Sequence, residues 1–303
     1  MKKISSYQAD MALIFVAAIW GTTFVAVKDA LADLAPHNFL AIRFSIAFIV
    51  LLLPGLFTGY PWQKRAVGVG IGVGIILFFG YALQTVGLKY TSAANAAFIT
   101  GLSVVLIPLL SALGLRQMPS WSAACGAVTA AVGLGFLTLG EGFLLNRGDL
   151  LVLGCAFAFA THIILVNRYA KAHSAYDLAV GQMLGVAVVS WLFTLLWENP
   201  TFQATPRTWA AILITAILAS AVAFFLQTTM QQFTTPTRTG IIFATEPVFA
   251  ALFAYWWLGE RLTTGEMIGC ALILGGMLVA ELGGKKGLES GEVLQAQNLE
   301  DLA

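Results

Sequence analysis

Apolar runs of about twenty residues follow one another along this chain with very little polar sequence between them. No other feature narrows the possible folds so sharply. The runs cover about 11–28, 37–57, 66–88, 91–113, 120–139, 149–168, 176–197, 207–229, 237–258 and 264–282. Each is long enough to cross the hydrocarbon core of a bilayer as a helix. Exposed backbone has no partner in lipid, so helices are the only assignment that fits. Only 10% of the 303 residues are charged, against roughly 25% in a soluble domain. The expected fold is therefore an all-α polytopic membrane protein with ten transmembrane helices. Pro61, Pro119, Pro200 and Pro206 mark short connections.

The termini are read in the same way. Met1-Lys2-Lys3 ahead of an apolar run resembles a secretory signal, but no polar mature domain follows a cleavage site, so the run is taken as the first span. Residues 285–303 turn polar and acidic and are expected to be a disordered tail. With the N-terminus inside, ten Lys and Arg fall on cytoplasmic segments and five on outer ones. That bias places both termini in the cytoplasm of a multi-pass inner (plasma) membrane protein. A net charge of +1 gives no basic field for nucleic acid. Cys125, Cys155 and Cys270 are scattered through apolar runs and suggest neither a disulfide framework nor a metal site. No cofactor is expected.

The chain repeats itself. A shift of 143 residues places Leu83-Gln84-Thr85 on Leu226-Gln227-Thr228, Thr91 on Thr234, Ile99 on Ile242, Gly126 on Gly269 and Gly133 on Gly276, without gaps. Trp20-Gly21-Thr22 falls on Phe159-Ala160-Thr161 at a slightly different shift. Two units follow, 1–144 and 145–284. Each has five spans, so the second enters the membrane upside down relative to the first. Inverted repeats are a common transporter plan.

Several motifs, in order, resemble the EamA-type drug/metabolite transporters. They are Trp20-Gly21-Thr22-Thr23-Phe24 with Lys28, Pro36 with Arg43, Glu246-Pro247-Val248, and Leu258-Gly259-Glu260-Arg261-Leu262 with Gly269. The likeness runs from about Asp10 to Leu282. It implies ten helices in two inverted halves, with spans 1, 3, 4, 6, 8 and 9 around a central cavity. It also implies export of small metabolites, with amino-acid exporters of the YddG type as the nearest match. The first half departs from the pattern, with Ser103-Val104 where the second has Glu246-Pro247, and Arg116-Gln117 where the second has Gly259-Glu260.

Ionisable residues inside spans are costly and should face the bundle or a wet cavity. Glu246 lies inside its run, and Pro247 beside it frees the carbonyl of Phe243. The pair suits an ammonium group or a proton; a buried protonated Glu is the alternative. Tyr81 and Gln84 share a helix face. Gln84 and its repeat mate Gln227 suit cavity lining, or interhelical hydrogen bonding. Asn95 is the mate of Arg238, which fits positive-inside anchoring. His162 fits a neutral His bonded to a neighbouring helix, or a proton carrier with Glu246. Trp20, Tyr81, Phe98 and Tyr255 are candidates for an aromatic wall, with Thr23 beside Trp20 in the opening motif. Arg43 is expected to pair with a carboxylate or to snorkel outward, and the resemblance assigns it a structural or gating role. Alternating Gly68, Gly70, Gly72 and Gly74 contain two Gly-x-x-x-Gly patterns and suit close helix packing.

The expected function is a secondary transporter exporting small metabolites, most plausibly amino acids, by alternating access. Its expected partners are the substrate, the lipid bilayer and protons as a coupling ion. A multidrug, nucleoside or sugar permease of the same fold is the alternative. An enzyme is not expected, since neither His-Glu-x-x-His nor clustered carboxylates occur.

Overall fold

The computed structural model describes residues 4–91, 93–115, 120–138, 146–253, 256, 263–265 and 267–280. All regular structure among them is helical. The helices are α1 (Ser6–Gly21), α2 (Phe24–Ala30), α3 (Pro36–Phe57), α4 (Lys64–Gly87), α5 (Ala93–Gly101), α6 (Ser103–Leu115), α7 (Trp121–Thr138), α8 (Arg147–Ala170), α9 (Ala175–Trp197), α10 (Pro206–Ala216), α11 (Ala223–Met230), α12 (Pro236–Phe243) and α13 (Glu246–Phe253). A last apolar helix, α14, spans Met267–Ala280. Among the described residues, six helical stretches are long and apolar enough to cross a membrane: Ser6–Ala30, Pro36–Phe57, Lys64–Gly87, Arg147–Ala170, Ala175–Trp197 and Pro206–Phe233. Ile99–Ala112, Trp121–Phe136 and Met267–Ala280 are shorter apolar helices.

Within the described residues the expected runs are mainly helical, but four are interrupted. The first breaks at Thr22–Thr23. The Pro206–Phe233 stretch passes through a π-helical turn at Ile217–Val222. The runs expected at 91–113 and 237–258 break at Leu102 and at Ala244–Thr245. These last two breaks are repeat mates. At each, the chain tightens into a bond three residues back, Leu102 N–H to the Ile99 carbonyl at 3.2 Å and Thr245 N–H to the Ile242 carbonyl at 3.0 Å. Pro247 sits in the first turn of the helix that follows, where its missing N–H is tolerated.

Glycines set the helix spacing. Gly70 and Gly74 on α4 lie against the backbone of Leu178 and Gln182 on α9. Gly181 and Gly185 on α9 return the contact against Val67 and Ile71. Gly68 and Gly72 meet nothing, so only one of the two Gly-x-x-x-Gly patterns is used for packing. On the far side, α7 crosses α14 reciprocally. A methyl added at Gly126 would lie 2.5 Å from the Gly276 carbonyl oxygen, and one added at Gly133 would lie 2.7 Å from that of Gly269. Gly269 is the mate of Gly126, and Gly276 the mate of Gly133. The contact is therefore isologous, as between two-fold-related parts.

Carboxylates at the helix ends tie the bundle; Asp10 and Asp149 are buried, Glu198 is partly buried and Asp33 is exposed. Asp10 on α1 pairs with Arg238 on α12. Asp149, 139 residues further on, caps the start of α8 and accepts from the Thr91 hydroxyl at 2.6 Å. Asp33 accepts from the Thr205 N–H at 3.0 Å and from the Thr205 and Thr208 hydroxyls at 2.7 and 2.5 Å, which hold its carboxyl below the usual range. Glu198 accepts from the His37 ring at 2.7 Å and from the His37 and Asn38 N–H groups at 3.1 and 2.9 Å. Burial raises its pKa, but these donors outweigh burial and leave it lowered. Glu198 thus caps α3, whose own Ala35 cannot.

Candidate substrate cavity

The helix breaks border one central cavity, and the π-helical turn lies behind it, bonded to two of its lining residues, Trp20 and Arg43. The cavity encloses about 890 Å³ of non-atom space, part of it continuous with solvent. Trp20, Thr23, Arg43, Tyr81, Gln84, His162, Gln227 and Glu246 all line it. The side chains of Asn95 and Phe98, and all of Tyr255, lie outside the described residues.

Trp20 stands where α1 breaks. Its indole N–H donates to the Ala219 carbonyl at 2.8 Å, inside the π-helical turn. Its ring packs against Phe224 and Phe243, with centroids 5.3 and 4.9 Å apart. Thr23 closes the break by donating to the Trp20 carbonyl at 2.8 Å. Gly21 lets α1 reach α13, since a methyl there would sit 2.5 Å from the Glu246 carbonyl oxygen.

Arg43 neither snorkels nor pairs with a carboxylate among the described residues. It is 3% exposed. Its Nε donates to the Ser220 hydroxyl at 2.8 Å, again in the π-helical turn. Its guanidinium carbon lies 4.9 Å from the Tyr81 ring centroid and 5.1 Å from that of Phe44. This cation–π cradle lets a charge stay in the bundle without a counter-ion at contact. The sequence could not place it, because Tyr81 comes from another helix and Ser220 from the other half.

Glu246 is the first residue of α13, half-buried at the cavity wall. No Lys, Arg or His lies within ion-pair distance of it among the described residues. Its position in the first turn places the carboxylate at the positive end of the helix dipole. His162 Nε2 lies 2.7 Å from Gln182 Oε1, and Gln182 Nε2 donates to Thr228 at 3.1 Å. The partner of His162 is therefore Gln182 on α9, not Glu246. Gln84 Nε2 donates to Thr100 at 3.1 Å. Gln227 Nε2 donates to Gln231 at 3.3 Å, and its buried Oε1 has no hydrogen-bond partner among the described residues. Gln182, Thr100 and Ser103 were missed from the sequence. Their signal, a polar side chain on an inward face, was present but weak.

The EamA-like transporter family model matches the chain twice, over residues 8–139 and 146–281. The chain belongs to this family. It is a membrane transporter, as its relatives are named. An uncharacterized transporter of Archaeoglobus fulgidus is 36% identical over 274 residues, covering 90% of this chain and 86% of that one. The uncharacterized transporter YyaM of Bacillus subtilis is 26% identical over 294 residues, covering 92% and 94%. A chloroplastic WAT1-related protein of Arabidopsis thaliana is 25% identical over 279 residues, covering 84% and 65%. One crystal structure matches the fold of this EamA chain with a TM-score of 0.77 at 22% identity, covering 92% of this chain and 98% of that one.

Proposed function

We propose that the protein is a secondary carrier that exports small metabolites, foremost amino acids, by alternating access to the central cavity. The carrying observation is that the repeat-mated breaks at Leu102 and Thr245 meet there, beside Arg43 and Glu246. Broken helices at the interface of inverted repeats are where carriers of this plan hold substrate. In this reading the chain has ten spans, in units 1–144 and 145–284, with both termini on the cytoplasmic side of the inner membrane. The double family match and the isologous α7–α14 crossing support it.

Alternating access needs one closure on each side of the site. The Asp10–Arg238 pair and the Asp149–Thr91 bond suit that role. Asp10 and Asp149 are mates at the shift that aligns Trp20 with Phe159. Thr91 is the mate of Thr234, four residues before Arg238. Uptake of radiolabelled amino acids into proteoliposomes tests the proposal. Saturable uptake, weakened in Gln84→Ala and in Gln227→Ala, is expected. If no amino acid is taken up by folded, inserted protein, amino acids are excluded, and drugs, nucleosides and sugars become the panel.

A further inference from the structure

Among the described residues the cavity is lined by one guanidinium and one carboxylate, and they come from opposite halves of the chain. Their repeat mates are neutral. Arg43 on α3 corresponds to Gln182 on α9 at the shift of 139, and Glu246 corresponds to Ser103 at the shift of 143. Mated positions thus carry one charge of each sign, one in each half. The two charges do not neutralise each other at contact: no ion pair joins them, and each keeps its own support. Arg43 rests on Tyr81 and Ser220. Glu246 sits at the start of α13. Tyr81 lies within electrostatic reach of both. The wall beside them is aromatic, from Trp20, Phe224 and Phe243.

We infer that the cavity is a two-pole site for a zwitterion. Arg43 takes the carboxylate, Glu246 takes the ammonium, and the aromatic wall takes an apolar side chain. The assignment rests on the reading of this cavity as the substrate site. Charge balance supports it. The two poles sum to zero, and a zwitterion keeps that sum at zero while giving each pole a partner. A ligand with one charge satisfies one pole and leaves the other desolvated and unpaired, which is costly in a low-dielectric site.

The test uses the full chain in detergent and in proteoliposomes. Thermal stabilisation and competition for uptake are measured with leucine, with leucinamide (ammonium without carboxylate), with 4-methylpentanoate (carboxylate without ammonium), and with uncharged sugars and nucleosides. Leucine is expected to bind at least about tenfold more tightly than either half-ligand, the usual scale for losing a hydrogen-bonded charge partner. In Glu246→Gln, a near-isosteric change, that advantage over 4-methylpentanoate is expected to collapse while the advantage over leucinamide remains. Arg43→Lys, which keeps the charge but loses the planar fork, is expected to weaken leucine without abolishing the unliganded melting transition. Equal binding of leucine and either half-ligand, or a Glu246→Gln protein with unchanged selectivity, overturns the two-pole assignment and leaves the carrier standing. Saturable transport of only uncharged compounds overturns it as well. Absence of stabilisation and uptake by every compound removes both the assignment and the cavity reading beneath it.

Discussion

Two alanine substitutions, chemically identical and both in helices, should have opposite effects. At Gly21 on α1 an added methyl would lie 2.5 Å from the Glu246 carbonyl oxygen and 3.0 Å from the Ala250 nitrogen. Both are helix backbone and cannot swing aside. Ordinary contact begins at 3.4 Å, so α1 and α13 must part by about 0.9 Å in Gly21→Ala. Forced over-packing of this kind costs about 1–3 kcal/mol. The parting displaces Glu246 and the Trp20 ring beside Gly21, so the loss falls on the loaded cavity. Thermal stability should fall by that amount, and uptake should weaken with it. At Gly72 on α4 nothing lies within 4 Å of the added methyl, and Ala is the better helix former by about 1 kcal/mol. Gly72→Ala should keep wild-type uptake and melt no earlier than wild type. The assay is uptake into proteoliposomes beside thermal unfolding in detergent, with Gly21→Ser as a second small step. Wild-type uptake and stability in Gly21→Ala would refute the argument that this approach positions Glu246. An equal loss in Gly72→Ala would refute the use of local space to separate the two.

Further consequences can be measured alongside. Trp20→Phe keeps the ring against Phe224 and Phe243 but loses the bond to the Ala219 carbonyl; a net bond of about 0.5–1.5 kcal/mol predicts uptake reduced roughly 2- to 13-fold with the fold retained. Gly126→Val and Gly276→Val strike the same reciprocal crossing from either side and should lower the melting temperature alike, while Gly275→Val, with open space around it, should not. Arg238→Asp should destabilise the protein, and the double change with Asp10→Arg should recover part of the loss, read as a coupling energy in a double-mutant cycle. Glu198 has a folded pKa below its ordinary 4.5, so its contribution is present above that value and is lost as pH falls through the folded pKa. Thermal stability should therefore fall on acidification below about 4.5, and the fall should be shallower in Glu198→Gln.

Helix positions were legible because a bilayer leaves so few alternatives: twenty apolar residues in a row have one stable form in lipid. The interruptions were less so. Pro247 marks the start of the helix after one break, yet its mate after the break at Leu102 is Val104, an ordinary apolar residue, and only the repeat could have transferred the signal. The π-helical turn reads Ile217-Leu-Ala-Ser-Ala-Val222 and differs in nothing visible from regular helix. What fixes it is tertiary: the Trp20 indole and the Arg43 guanidinium both dock on it. The same limit explains Arg43. A charge in a span announces that it must be satisfied, but not by what, and a tyrosine face from α4 is no more predictable than a carboxylate. The aspartates at the helix ends were passed over for the opposite reason. Asp10 and Asp149 read as boundary residues, and their correspondence shows only when the first-helix shift is carried back ten residues from Trp20.

The repeat accounts for the architecture of the cavity and also for what the repeat alone cannot supply. Positions that line or support it come in mated pairs: Trp20 with Phe159, Thr23 with His162, Arg43 with Gln182, Tyr81 with Phe224, Gln84 with Gln227, and Ser103 with Glu246. Strict symmetry at all six would give a site with matching ends, suited to a symmetric ligand or to none in particular. Only the amide pair keeps its residue type. The other five differ between the halves, and two of those differences separate charge. A carrier needs its two gates to be alike, because each must open and close against the same core. It also needs its site to be unlike itself, because a metabolite has a head and a tail. In the proposed carrier, closing contacts at the ends of the helices and divergent side chains at their breaks would meet both needs in one chain: Asp10 and Asp149 are the same residue, whereas Ser103 and Glu246 are not.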